Sequence, residues 1–302
     1  MTNTPGRHSP TDLNQQTSVW IAAMPATFVV LWSSGFVGAK FGLPYAEPLT
    51  FLSWRFLFVA SVMTMISILW RAPWPKDWRL AGHIAIAGLL VQATYLGGVF
   101  TSIHQGLPAG LSALVTGLQP AFTAVLAILF LQERVTARQW LGIGLGFFGV
   151  ILVVARKMDV SLGAGTAVWL AALALLGITL GTIYQKRFCG EMDLRTGSVI
   201  QFSASGLLFW GLATWLEHEP VQWTVEFIFA LTWLVFVLSI GAISLLMLLI
   251  RRGAASKVAS LFYLVPPVTA VMAYFMFGET LGIIEIAGMG AATLGVALVT
   301  KS

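Results

Sequence analysis

Long apolar runs separated by short polar breaks dominate this chain. A membrane-crossing helix needs about 20 mainly apolar residues. By that measure the pattern predicts ten helices: 19–40, 47–70, 80–103, 107–131, 136–155, 163–186, 195–216, 224–250, 254–277 and 281–300. The breaks carry turn or charge signals, among them Leu43-Pro44, Ala72-Pro73-Trp74-Pro75, Arg156-Lys157 and Glu217-His218-Glu219-Pro220. Two breaks, 103–107 and 277–281, are so short that the helices on either side must be antiparallel neighbours. Barrel strands would alternate apolar and polar residues over about ten positions. These runs are longer and apolar all round, so the predicted class is an all-α membrane bundle. Residues 1–16 are polar and predict a cytoplasmic tail rather than a signal peptide, which would need an apolar core close behind a basic start.

Composition agrees with the pattern. Hydrophobic residues are 58 % of the 302, charged residues only 10 %, and mean hydropathy is +0.86. A soluble domain carries about 25 % charge, so this chain lacks the polar surface that water demands. A net charge of +5 does not point to nucleic acid, because the basic residues lie in short loops and form no continuous face. Their distribution sets orientation instead, since Lys and Arg collect on the cytoplasmic side. With the N-terminus inside, 13 of the 17 fall on cytoplasmic segments, three on outer segments, and Arg55 within a span. Both termini are therefore expected in the cytoplasm. Cys189 is the only cysteine, which excludes an internal disulfide and a cysteine metal site.

The stretch LQPAFTAVLAILFLQE at 118–133 returns as LVPPVTAVMAYFMFGE at 264–279, a shift of 146. Over 118–153 and 264–299, 13 of 36 positions are identical, including Pro120/Pro266, Glu133/Glu279, Gly142/Gly288 and Gly149/Gly295. The same shift pairs Gly35 with Gly181 and Lys40 with Lys186. Two five-helix halves follow, 17–160 and 161–302. Five is odd, so the second half starts from the opposite side and the repeat is inverted. The loops agree: three basic residues in 71–79 against none in 217–225, and none in 103–107 against three in 251–257. Inverted repeats around a midplane site are a pattern of secondary transporters.

The chain resembles the EamA-type, ten-helix members of the drug/metabolite transporter superfamily over nearly its whole length. The resemblance rests on ALVTGLQPAFTAVLAILFLQERVTARQWLGIGLGFFGVILV and ASLFYLVPPVTAVMAYFMFGETLGIIEIAGMGAATLGVALV, with LWSSGFVGAKFG and LSWRFLFVA near the start. It implies a central cavity formed by both halves and export or exchange of small metabolites, often amino acids, aromatic ones included. It also implies a bacterial inner membrane.

Several residues are candidates for the work. Arg55 is the one charge well inside a span, and a mid-membrane Arg costs about 2.5–3.5 kcal/mol on insertion scales, so something must offset it. It is a candidate for a substrate carboxylate, with snorkelling toward the interface as the alternative. Trp32, Ser33 and Phe36 on the first helix, Gln92 and Tyr95 on the third, Gln119, Thr182 and Tyr263 are further substrate-binding candidates; for each, a helix–helix hydrogen bond or packing contact is the plain alternative. Pro120, Pro266 and Pro267 lack a backbone donor and predict kinks or hinges. Glu133 and Glu279 stand at matching helix ends and read as helix caps rather than proton carriers. Lys40 and Lys186 read as interfacial anchors.

Absences narrow the function. The chain has no G-x-x-x-x-G-K-[ST] loop, no H-E-x-x-H and no G-x-S-x-G. No cofactor, metal or nucleic acid is expected, and no catalysis. The expected partners are a small-molecule substrate and membrane lipid, with a monomeric chain. The favoured function is transport of small neutral or zwitterionic metabolites. The alternatives are an exchanger of anionic or phosphorylated metabolites using Arg55 and Lys40, and a non-transporting membrane receptor.

Overall fold

The structure, a computed structural model, describes residues 10–123, 126, 136–158, 164–242, 245, 248, 249, 261–280 and 282–300. Glu133 lies outside the described residues, and so does the side chain of Tyr263. The described helices are α1 (Pro10–Gly42), α2 (Pro48–Leu69), α3 (Trp78–His104), α4 (Ala109–Thr116), α5 (Ala137–Met158), α6 (Ala164–Phe188), α7 (Leu194–Leu216), α8 (Val225–Ala242), α9 (Val265–Phe277) and α10 (Ile283–Thr300). No strand occurs among the described residues. Among them, α2, α3, α6, α7, α8 and α1 from Ala23 onward are long and apolar enough to cross a membrane; the apolar helices at Trp140–Gly149, Val265–Phe277 and Ile286–Gly295 are shorter. Helix α1 starts at Pro10, inside the stretch expected as a polar tail, so the helix extends beyond the apolar span.

Local chemistry sets the breaks. Pro48 opens α2, where its missing N–H costs nothing. The carboxylate of Glu217, just past α7, then accepts from the Leu49 and Thr50 amides at 2.8 and 2.7 Å and caps α2 from the other half of the chain. Gly106 (φ 92°) turns the chain between α3 and α4, and Gly278 (φ 65°) ends α9, both in the left-handed region open to glycine.

Pro120, Pro266 and Pro267 fall at restarts rather than in helix interiors, unlike Pro25 within α1. Helix α4 stops at Thr116, Gly117 and Leu118 form a turn, and 119–123 is helical again with Pro120 in its first turn. A 3-10 turn at Phe262–Leu264 likewise precedes α9, with Pro266 and Pro267 in its first turn. Both segments thus depart from straight helix beside the repeated proline.

The packing follows the repeat. Helices at equivalent places lie against each other: α2 on α7, α4 on α9 and α5 on α10. Some of the other contacts come in matched pairs: α1 on α8 with α3 on α6, α1 on α9 with α4 on α6, and α2 on α8 with α3 on α7. The α5–α10 crossing is reciprocal at the residue level. A Cβ on Gly149 would fall 2.5 Å from the Gly288 carbonyl, and one on Gly295 would fall 2.5 Å from the carbonyl of Gly142. Gly142/Gly288 and Gly149/Gly295 are pairs matched by the 146-residue shift, so the contact has the two-fold character of an isologous interface. The atoms opposite are backbone and cannot swing aside. Gly295→Val is therefore expected to destabilise the protein by about 1–3 kcal/mol, the range for overpacking, whereas Gly290→Ala, which meets open space, should leave thermal stability unchanged or raised. Detergent-solubilised melting curves check both.

Large apolar side chains cover the outside. Phe275, Val225 and Ile283 are at least 80 % exposed, as are many others to a lesser degree. Such a surface is soluble only in lipid, and the protein is an integral membrane protein. Trp70, Trp74 and Trp78 stand exposed around the α2–α3 connection, the placement expected of an interfacial aromatic belt.

Candidate functional site

A chamber of about 270 Å³ lies between the halves, walled by α1, α2, α3, α6, α7 and α8. Two further spaces adjoin it. A lobe of about 220 Å³ shares Trp32, Phe36, Tyr95 and Ile178 with the chamber and reaches Gln119 and Pro120. A vestibule of about 410 Å³ shares Val91, Gln185, Met192 and Leu194 and opens at Lys186, Cys189 and Gly190.

Two irregular turns shape the chamber. Helix α3 widens into π-helix at Leu89–Thr94, and α8 does so at Trp233–Ala242. Shifting 89–94 by 146 gives 235–240, inside the second π segment. Val91 and Gln92 from the first, and Leu238 and Ser239 from the second, line the chamber. A π turn carries an extra residue, and such turns concentrate at functional sites. Small residues opposite admit the bulges: a Cβ on Gly35 would fall 2.7 Å from Leu238, and one on Gly181 would fall 2.6 Å from Val91.

Arg55 is the chemical centre. It is 3 % exposed, so it does not snorkel. Its Nη2 donates to Ser239 Oγ at 3.2 Å, and its guanidinium lies 5.9 Å from the Phe100 ring centre. Its Nε–H is buried with no hydrogen-bond partner. Among the described residues no Asp or Glu lines the chamber, the lobe or the vestibule. The position 146 residues on from Arg55 is Gln201, which lines the same chamber and donates from Nε2 to Gln185 Oε1 at 3.0 Å. At matching places one half supplies a cation and the other a neutral amide.

Of the other sequence candidates, Trp32, Phe36, Gln92 and Tyr95 line the chamber. Gln119 and Thr182 line the lobe and bond each other, Gln119 Nε2 to Thr182 Oγ1, at 3.1 Å. Ser33 lines neither chamber nor lobe: fully buried, it donates to the Val265 carbonyl at 3.3 Å and joins α1 to α9, since a spacing of three sets it about 60° round the helix from Phe36. Pro267 borders an outward groove between α9 and α10 instead of the chamber. Gln185, Ser198 and Ser239 line the chamber although no sequence signal marks them, whereas Gln201 has one in its register with Arg55.

On the opposite side helix ends from both halves are tied together. Lys40 at the end of α1 forms an ion pair with Glu279 just past α9, and Lys40 also sits 4.9 Å over the Phe277 ring centre. The Glu279 carboxylate accepts from the Ala109 amide at the start of α4 at 3.3 Å. So Glu279 reaches the first turn of α4, in the other half, rather than the helix that follows it in sequence. Lys186, the repeat counterpart of Lys40, borders the open vestibule. At that rim Asp193 caps α7 and binds the Arg195 side chain at 2.8 and 3.1 Å, which holds its carboxyl below the usual carboxylate range.

A helical bundle with an apolar outside and a small chamber between its two halves is the build of a membrane transporter. The chain belongs to the EamA-like transporter family, whose model matches it twice, over residues 19–155 and 165–301. It is 30 % identical over 270 residues to a probable amino-acid metabolite efflux pump of Salmonella typhimurium, covering 86 % of this chain and 88 % of that protein. It is 27 % identical to the Bacillus subtilis transporter YvbV, across 93 % and 92 % of the two chains. The Escherichia coli inner membrane transporter YedA is also 27 % identical, across 90 % and 87 %. A solved crystal structure at 16 % identity superposes with a TM-score of 0.64 over 92 % of this chain and 95 % of that one, so the fold is shared.

Proposed function

We propose that the protein is a secondary transporter that exports small metabolites, amino acids first, across a bacterial inner membrane. It works by alternating access between two inverted five-helix halves, with both termini in the cytoplasm. The observation that carries the substrate reading is Arg55, a buried guanidinium facing a chamber with an unused donor and no acidic partner. A carboxylate is the group that answers such a donor. Trp32, Phe36 and Tyr95 offer aromatic walls to an apolar side chain. The name of the Salmonella relative supports amino-acid cargo.

The paired packing of equivalent helices and the uneven loop charges support the inverted arrangement. On that orientation the Lys186 mouth faces the cytoplasm and the Lys40–Glu279 pair closes the outer side, the state that loads cargo for export. Phosphorylated cargo is disfavoured, because Lys40 is already engaged by Glu279 and leaves Arg55 alone in the chamber.

Counterflow in proteoliposomes tests the reading. Saturable exchange is expected for amino acids with apolar or aromatic side chains. No saturable flux with any carboxylate-bearing metabolite would sink it.

A further inference from the structure

The substrate has a second end, and the chamber answers it differently. An amino acid carries an ammonium on the carbon next to its carboxylate. Sites that select for that ammonium must offset its desolvation, and an acidic side chain does so best. Here the described walls of chamber, lobe and vestibule hold Arg55 and Lys186 as their only charges, both positive. The acids nearest in sequence, Glu191 and Asp193, flank the lining residue Met192 without lining the space themselves, and Asp193 is occupied by Arg195. What the described chamber walls offer an ammonium is neutral: the amides of Gln92, Gln185 and Gln201, the hydroxyls of Tyr95, Ser198 and Ser239, and the aromatic faces.

Charge balance then decides. A monoanion beside Arg55 leaves the chamber neutral. A zwitterion leaves it at a net positive charge, and places its own cation next to the guanidinium.

Building on the transporter reading above, we propose that the site reads the carboxylate and not the amine. Its substrates are monocarboxylates with an apolar or aromatic substituent, and 2-hydroxy, 2-oxo or N-acyl acids bind at least as well as the amino acids of the same side chain. The inference rests on three features: the orphaned Nε–H of Arg55, the uncharged residue at its repeat counterpart Gln201, and the lack of any acidic group in the described lining.

The test is counterflow with the full-length protein in proteoliposomes, using phenylalanine, 3-phenyllactate, N-acetylphenylalanine and phenylalaninol, and in parallel leucine and 2-hydroxyisocaproate. The expected result is half-saturation by the hydroxy and N-acyl acids at or below that of the parent amino acid, with phenylalaninol inert because it lacks the carboxylate. A site with a polar partner for the amine would reject the analogues by several orders of magnitude, as sites built to bond a polar group do. Saturable amino-acid flux with the hydroxy acids more than about tenfold weaker overturns this proposal and leaves the transporter standing, since neutral contacts discriminate by less than the loss of a dedicated polar partner. No saturable flux with any member of either series overturns both.

Discussion

Replacing Arg55 with Gln is expected to weaken transport of every carboxylate substrate by roughly thirtyfold or more. Truncating one partner of a buried charge pair costs about 2–5 kcal/mol, and about 1.4 kcal/mol is a factor of ten. The empty protein should not suffer. Among the described residues the guanidinium bonds Ser239 and lies near the Phe100 ring, and its Nε–H has no partner. A neutral amide of similar reach removes that uncompensated charge, so the melting temperature of the substrate-free variant should stay level or rise. Wild type should gain stability when substrate is added, and the variant should not. Counterflow and melting curves on the same preparations give both answers. Undiminished flux in the variant would remove Arg55 from the site. A fall in flux with a matching fall in stability would make it a structural residue instead.

Breaking the Lys40–Glu279 pair is expected to open the side it closes. Glu279 joins the ends of α1 and α9 to the first amide of α4, so one carboxylate holds three helix ends from both halves. The pair is partly exposed, at 31 % and 11 % for the two side chains, which keeps its worth below that of a fully buried bridge. Hydrogen bonds to charged groups contribute about 1.5–3 kcal/mol when they are sheltered; at the lower end Glu279→Gln would raise the population open on that side by about tenfold. A reporter is available. Ala113 is buried and lines the lobe beyond the pair, so Ala113→Cys in a Cys189→Ser background can be probed with a membrane-impermeant maleimide from outside. Labelling should be slow with the pair intact and faster in Glu279→Gln. The swap Lys40→Glu with Glu279→Lys should restore slow labelling if the charges act on each other. Equal rates in all three proteins would mean that helix packing, not this pair, closes the outer side.

Much of this was open to inspection in the sequence. A chain apolar over such lengths can satisfy its backbone in lipid only as helices or a closed barrel, and the run lengths chose helices. The 146-residue shift pairs Gly142 with Gly288 and Gly149 with Gly295, the glycines that meet at the α5–α10 crossing. Arg55 stood out because a charge inside a span always needs a reason. The two π segments left no trace, since an extra residue in a helical turn has no compositional signature; the matching register of Leu89–Thr94 and Trp233–Ala242 emerges only once one of them is seen. The prolines marked where α4 and α9 depart from straight helix, yet not that each would restart a helix rather than bend one.

The sequence by itself determined the class, the duplication, the family resemblance and the one cation well inside a span. The tertiary structure alone decided which polar groups face the chamber. In a soluble helix the polar stripe marks the outside; in lipid the outside is as apolar as the interior, so periodicity cannot separate Gln92, which lines the chamber, from Ser33, which ties α1 to α9. It alone decided, too, the partner of Glu279. Lys40 lies 239 positions away, and only the docking of the two halves brings opposite charges that far apart in the chain to the same helix ends.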